Sequence, residues 1–179
     1  MPVLIAAVIV VGILCLLDLL LTFGVIRRLR EHTELLRSHQ LSAEPPVIGL
    51  APGQAPEPFA VETVDGAPLS GPTGLRMAGF FASWCAVCPE RVAPFIDYIR
   101  DNSVPRDSVL AVVLARGDEP PPYLSKLAEV ACVSVQQDRA PVTKAFAVAG
   151  YPAFCLLDAN GAVVTSGFDP AALPAPALA

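Results

Sequence analysis

The stretch Gly79-Phe80-Phe81-Ala82-Ser83-Trp84-Cys85-Ala86-Val87-Cys88-Pro89-Glu90 sets an aromatic, apolar run directly ahead of two closely spaced cysteines. Just upstream, Leu75 to Ala82 is short and mostly apolar, the pattern of a buried strand. Downstream, Pro89 to Arg100 repeats apolar residues at Val92, Phe95, Ile96 and Ile99, the spacing of one helix face. The two thiols therefore fall where a strand hands over to a helix. The thiolate is the reactive form of cysteine, and the unpaired N–H groups and positive dipole end of a helix start favour that anion. Cys85 is expected to be the exposed nucleophile and Cys88, one turn inside, the resolving thiol that closes an internal disulfide.

A lone C-x-x-C can also be half of a zinc site or a structural pair of thiols. Zinc wants four ligands, and no second C-x-x-C or H-x-x-x-H is present. His32 and His39 are the only histidines; they lie far upstream, on one face of a charged segment. C-x-x-C beside a β-α-β pattern favours redox chemistry over metal binding.

The chain has 179 residues, room for one ordinary domain with accessories. Hydrophobic residues make up 54% and mean hydropathy is +0.56, an excess concentrated at the front. Val3 to Ile26 is apolar apart from Asp18 and Thr22, and at about 1.5 Å per residue it is long enough, roughly 36 Å, to cross a bilayer. It lacks the basic n-region and small-x-small cleavage site of a secretory signal, so residues 1–26 are expected to be an uncleaved membrane anchor. A net charge of −5 argues against a nucleic-acid partner, which calls for a clustered basic face. Arg27, Arg28 and Arg30 read as a membrane-edge cluster, and residues 27–43 continue as a charged helical stalk.

Residues 44–58, with prolines at 45, 46, 52, 56 and 58, read as an extended linker without regular structure. Phe59 to Val64 alternates apolar and polar residues and meets Asp65-Gly66, the signature of a hairpin leading into a domain over 59–169. After the Gly79 strand and its helix, Ser108 to Ala115 is a second apolar run. Strand, helix and strand in that order imply a parallel crossover with both strands central. Pro120 to Val130 and Pro141 to Val148 read as helices, with a short extended piece at Ala131 to Val135 between them. Phe154 to Leu157 and Ala162 to Thr165 flank Asn160-Gly161, a second hairpin signal. The proline- and alanine-rich tail, 170–179, offers little to bury and is expected to be disordered.

This order of elements, with C-x-x-C at the first helix and Gly150-Tyr151-Pro152 ahead of a hairpin, resembles the thioredoxin fold, a central mixed sheet flanked by helices. The anchor, the segment Ala51-Pro52-Gly53-Gln54-Ala55-Pro56 and the run ending Trp84-Cys85 resemble the membrane-tethered TlpA-type thiol-disulfide oxidoreductases. The anchor and stalk are also similar to the thioredoxin-like accessory proteins of methylamine dehydrogenase maturation. The resemblance spans roughly residues 49 to 168. It implies that Cys85 attacks, Cys88 resolves and Pro152 is a cis-proline facing the disulfide, with Trp84 and Tyr151 beside it at the substrate-binding surface.

What the resemblance implies is disulfide exchange with protein partners carrying disulfides or thiols, more in the direction of a reductase, fed by a membrane or soluble thiol donor. The redox-active pair needs no metal, flavin or nucleotide cofactor. A different class stays open: an assembly or binding module that docks a partner with little redox turnover. Three departures from thioredoxin stand out. Gly79 replaces a buried acid, Pro94 lies one residue further from the second cysteine than the usual kinking proline, and Ala86-Val87 replaces Gly-Pro. Other chemistries on this fold fit less well, because a peroxiredoxin needs threonine where Ala82 stands and copper-delivering relatives use C-x-x-x-C with a distal histidine.

Cys132 and Cys155 sit among apolar neighbours and read as inert core thiols, with spacing alone leaving open whether they pair. The arginines C-terminal to the anchor favour a cytoplasmic domain by the positive-inside rule, whereas the resemblance implies an extracytoplasmic one, and the expectation follows the resemblance.

Overall fold

The computed structural model describes residues 48–117, 121–137 and 139–176, together with Gly12, Cys15 and Leu16. Apart from those last three, which are helical, the expected anchor 1–26 and stalk 27–43 lie outside the described residues, as do residues 44–47 and 177–179. Among the described residues no helix is long and apolar enough to cross a membrane. The chain divides into two compact units, Met1–Glu44 and Pro45–Ala179, and the strands found among the described residues lie in the second.

That unit opens with the hairpin β1 (Phe59–Glu62) and β2 (Pro68–Gly71), paired antiparallel. Its turn passes through Gly66 at φ 76°, a left-handed conformation that glycine adopts without steric cost. The apolar run that opened the sequence reading becomes β3 (Met77–Ala82), with every residue buried. It leads into α1 (Cys88–Asp101), then a 3₁₀ turn at Arg106–Ser108 and β4 (Val109–Leu114). There follow α2 (Leu124–Ala128), β5 (Cys132–Gln136), α3 (Pro141–Ala145), β6 (Ala153–Leu157) and β7 (Val163–Gly167).

Five strands form one mixed sheet in the order β5-β4-β3-β6-β7. β4 runs parallel to β3 and to β5, while β6 is antiparallel to both β3 and β7. Because side chains alternate across a strand, β3 feeds two cores. Ala78, Phe80 and Ala82 join Leu110, Val112 and Leu114 against Phe59, Val142 and Phe146, under α3 and the hairpin. Met77 and Phe81 join Val109 and Val113 against Val92, Phe95, Ile99 and Leu127, under α1 and α2. Rings lock both layers, with Phe80 and Phe146 at 5.1 Å on one side and Phe81 and Phe95 edge-to-face at 5.5 Å on the other.

Two helices are shorter than their sequence patterns. α2 spans only Leu124–Ala128, since a residue that precedes proline is driven out of the helical region, and its first turn closes where the Leu124 N–H donates to the Pro121 carbonyl. α3 stops at Ala145 because Ala147 turns left-handed, at φ 51°, and the Val148 N–H folds back to the Thr143 carbonyl at 2.9 Å.

Two segments differ from expectation. Residues 48–58 form no regular element, yet they are bound to the domain and do not hang free of it. Ile48 is buried in the α3-side core, and the Leu50 N–H donates to the Phe146 carbonyl at 3.1 Å. The Gly53 N–H donates to the Val163 carbonyl, and the Val163 N–H donates to the Gln54 carbonyl, both at 2.8 Å. Proline removes donors, but the remaining amides and one isoleucine suffice to anchor the strip. Likewise the tail is placed through residue 176. A 3₁₀ turn at Pro170–Ala172 leads to Leu173, which packs on the α1-side core, and the Tyr98 hydroxyl donates to the Pro174 carbonyl at 2.6 Å. An ion pair from Arg91 to Asp169, 3.3 Å, starts the same docking. The composition hides these anchors among alanines and prolines.

Candidate functional site

β3 ends at Ala82, and the chain makes two successive turns before α1 begins. The Cys85 N–H donates to the Ala82 carbonyl at 3.1 Å, and the Cys88 N–H then lies 3.3 Å from the Cys85 carbonyl. The N-cap position, Val87, has no side-chain capping bond, and Pro89 contributes no amide. The first helical N–H, that of Cys88, is shared between the Cys85 carbonyl and sulfur, and it reaches Cys85 Sγ at 3.1 Å. Cys85 and Cys88 form a disulfide with their Cα atoms 5.4 Å apart. Cys85 is half-buried and Cys88 wholly buried, at 0% exposure. That asymmetry follows from the turn: residue 85 precedes the helix, while residue 88 is its first member and faces Phe81 and Phe95.

The other wall comes from the loop between α3 and β6. The Tyr151–Pro152 peptide bond is cis, and the Tyr151 carbonyl oxygen lies 3.5 Å from Cys85 Sγ. Trp84 meets the Tyr151 ring edge-on, with centroids 6.1 Å apart and planes at 87°. Trp84, Cys85, Cys88, Tyr151 and Pro152, named from the sequence, thus come together around one sulfur pair.

Two residues were missed. Ser83 is fixed to the end of β4: its N–H donates to the Leu114 carbonyl at 2.8 Å, and its Oγ accepts from the Arg116 N–H at 3.1 Å. Arg116 then lays its guanidinium over the Trp84 ring, 3.9 Å from the centroid. The signal existed, since two parallel neighbours end side by side and whatever follows β4 must flank whatever follows β3.

The position of the acid that thioredoxin buries is filled differently. A Cβ on Gly79 would stand 2.8 and 2.9 Å from atoms of the Phe95 ring, so the ring occupies the space that a side chain at 79 would need. Among the described residues, no group of three or more His, Cys, Asp or Glu could hold a metal ion.

The remaining thiols are separate. Cys132 on β5 pairs in register with Leu110, and Cys155 on β6 with Ala78. β4 and β3 stand between them, so at about 4.8 Å per strand they are too distant to bond. Burial pushes the Cys155 thiol up to about 12. Cys132 is less of a core residue than its neighbours suggest. It is half-exposed, its Sγ lies 3.8 Å from the Arg106 carbonyl, and burial raises its pKa while the Arg106 charge partly offsets the rise.

No protein-family model and no curated protein matches the sequence. Solved structures do. A thiol-disulfide oxidoreductase from Bacteroides fragilis superposes with a TM-score of 0.51 at 15% identity, over 63% of this chain and 89% of its own. The thioredoxin domain of a thiol-disulfide oxidoreductase from Bacteroides vulgatus gives 0.50 at 17% identity, over 65% and 88%. The fold is thioredoxin-like. At such identities the likeness concerns the backbone alone. In the thioredoxin-like domain the disulfide lies at the start of the helix after β3, across from the cis-proline loop.

Proposed function

We propose that the chain is a thiol-disulfide oxidoreductase acting on protein partners. In the reducing direction the Cys85 thiolate attacks one sulfur of a partner disulfide. The partner's S–S bond breaks, a Cys85–partner mixed disulfide forms, and the expelled partner thiolate takes a proton. Cys88, deprotonated, then attacks Cys85 Sγ, releases the second partner thiol and leaves the Cys85–Cys88 disulfide. Two electrons have passed from the dithiol to the partner, and an external dithiol donor restores the pair.

The observation that carries this reading is the surroundings of Cys85 Sγ. A helix-start N–H points at it, its partner sulfur is buried one turn on, and the carbonyl of Tyr151, the residue before the cis-proline, stands 3.5 Å away. An N–H aimed at the sulfur stabilises the thiolate both as attacking and as leaving group. Beside it, the backbone at Tyr151 can pair with a partner segment as an added strand. The apolar run from Val3 to Ile26 supports a membrane-tethered form, and the family resemblance, against the arginines that flank the run, supports placing this domain on the extracytoplasmic face, where partner disulfides persist.

Cys88→Ser is expected to accumulate mixed disulfides with partner proteins, visible on non-reducing gels, and Cys85→Ser to abolish insulin reduction. Equal rates for wild type and Cys85→Ser would reject the activity and leave the domain a docking module.

A further inference from the structure

We propose that Arg116 is a positioning residue of the exchange site. Its guanidinium holds the Trp84 indole edge-on against Tyr151, keeping one wall of the partner-binding surface in place beside Cys85. The inference rests on exchange occurring at Cys85.

Three contacts converge on the turn that carries the nucleophile. The Ser83 N–H donates to the Leu114 carbonyl, the Arg116 N–H donates to Ser83 Oγ, and the Arg116 side chain covers Trp84. The first two are backbone latches that any residue at 116 supplies. The third belongs to the side chain, and it is the one that reaches the indole. Trp84 is half-buried, packed on the α3-side core and T-shaped against Tyr151. The guanidinium at 3.9 Å covers one face of the ring, and a cation over an indole is attracted by the ring quadrupole, by about 0.5–1 kcal/mol at an exposed site. Tyr151 belongs to the cis-proline loop and Trp84 directly precedes the nucleophile, so the stack couples the two walls of the site. A brace of this kind acts on partner binding more than on sulfur chemistry, because it touches neither sulfur.

Trp84 is the only tryptophan in the chain, so its emission reports this site alone. The full chain is compared with Arg116→Met, which keeps an unbranched stem without charge, and with Arg116→Lys, which keeps a cation without the plane. Acrylamide quenching of Trp84 is expected to rise about two- to fivefold in Arg116→Met. The KM for a disulfide-bonded peptide is expected to rise by a similar factor, with kcat within about twofold of wild type. Arg116→Lys should recover at least about half of both changes. Unchanged quenching in Arg116→Met would overturn the brace, as would a fall in kcat at constant KM. Absence of exchange in the wild type would instead reject the oxidoreductase reading, and the quenching result would still decide whether Arg116 holds the indole.

Discussion

Cys85 and Cys88 sit on the turn leaving β3 and at the start of α1, whereas Cys132 and Cys155 sit within strands of the same sheet. Within a strand, backbone amides are committed to the ladder and face neighbouring strands, not sulfur. Cys155 therefore gains only desolvation, which drives its thiol toward the neutral form. At the turn, the Cys88 amide has no partner within the helix and is shared between the Cys85 carbonyl and Cys85 Sγ. Whether a sulfur meets desolvation alone or also a backbone donor thus depends on where the chain leaves its ladder. Proximity in sequence matters as well, since three residues and one turn bring Cys85 and Cys88 together while two intervening strands separate Cys132 from Cys155.

The contrast breaks most visibly under alkylation. In the reduced protein at neutral pH, iodoacetamide is expected to modify Cys85 at least about a hundredfold faster than Cys132, with Cys155 silent until the domain unfolds. Peptide mapping of a time course reads the order, and comparable rates at Cys85 and Cys132 would erase the distinction. A second test places a charge behind the turn. Gly79→Asp drives a side chain into the Phe95 ring and buries a carboxylate, so the variant is expected to lose at least about 3 kcal/mol in chemical denaturation. A well-folded, equally stable Gly79→Asp would mean that the α1-side core yields more readily than its aromatic packing implies.

A smaller effect sharpens the strand side. Cys155 keeps its proton in the folded state up to about 12, while in the unfolded chain it titrates near the ordinary value of 9.0. Between those values the unfolded state has released a proton that the folded state retains. Stability from this group is therefore complete below pH 9 and declines as pH rises, by up to about 1.4 kcal/mol per pH unit. The loss in stability between pH 8 and 10.5 should be shallower for Cys155→Ala than for wild type. Parallel profiles would show that Cys155 is not the titrating group.

Much of this was legible before any coordinates. β3 and β4 announced themselves as unbroken apolar runs because both faces of a central strand are covered, and α1 did so through the spacing of Val92, Phe95, Ile96 and Ile99. The residues of the site were also nameable, Cys85 and Cys88 from spacing and Trp84, Tyr151 and Pro152 from resemblance. What stayed hidden depends on contacts between distant segments. Nothing local in Arg116 says that it will lie on Trp84, because that contact depends on β3 and β4 ending together. The docking of residues 48–58 and 170–176 was masked by proline and alanine, since composition shows what cannot form a helix or strand but not what a single Ile48, Leu173 or Tyr98 hydroxyl can hold.

The outer strands carry one more implication. The Val64 N–H donates to the Val133 carbonyl at 2.8 Å, and the strip around Gly53 trades bonds with Val163, so each margin of the sheet has its own chain stitched to it. Two copies meeting sideways would find each ribbon border covered in part, at Val133 on one side and Val163 on the other, which shortens the stretch open to edge pairing at high local density.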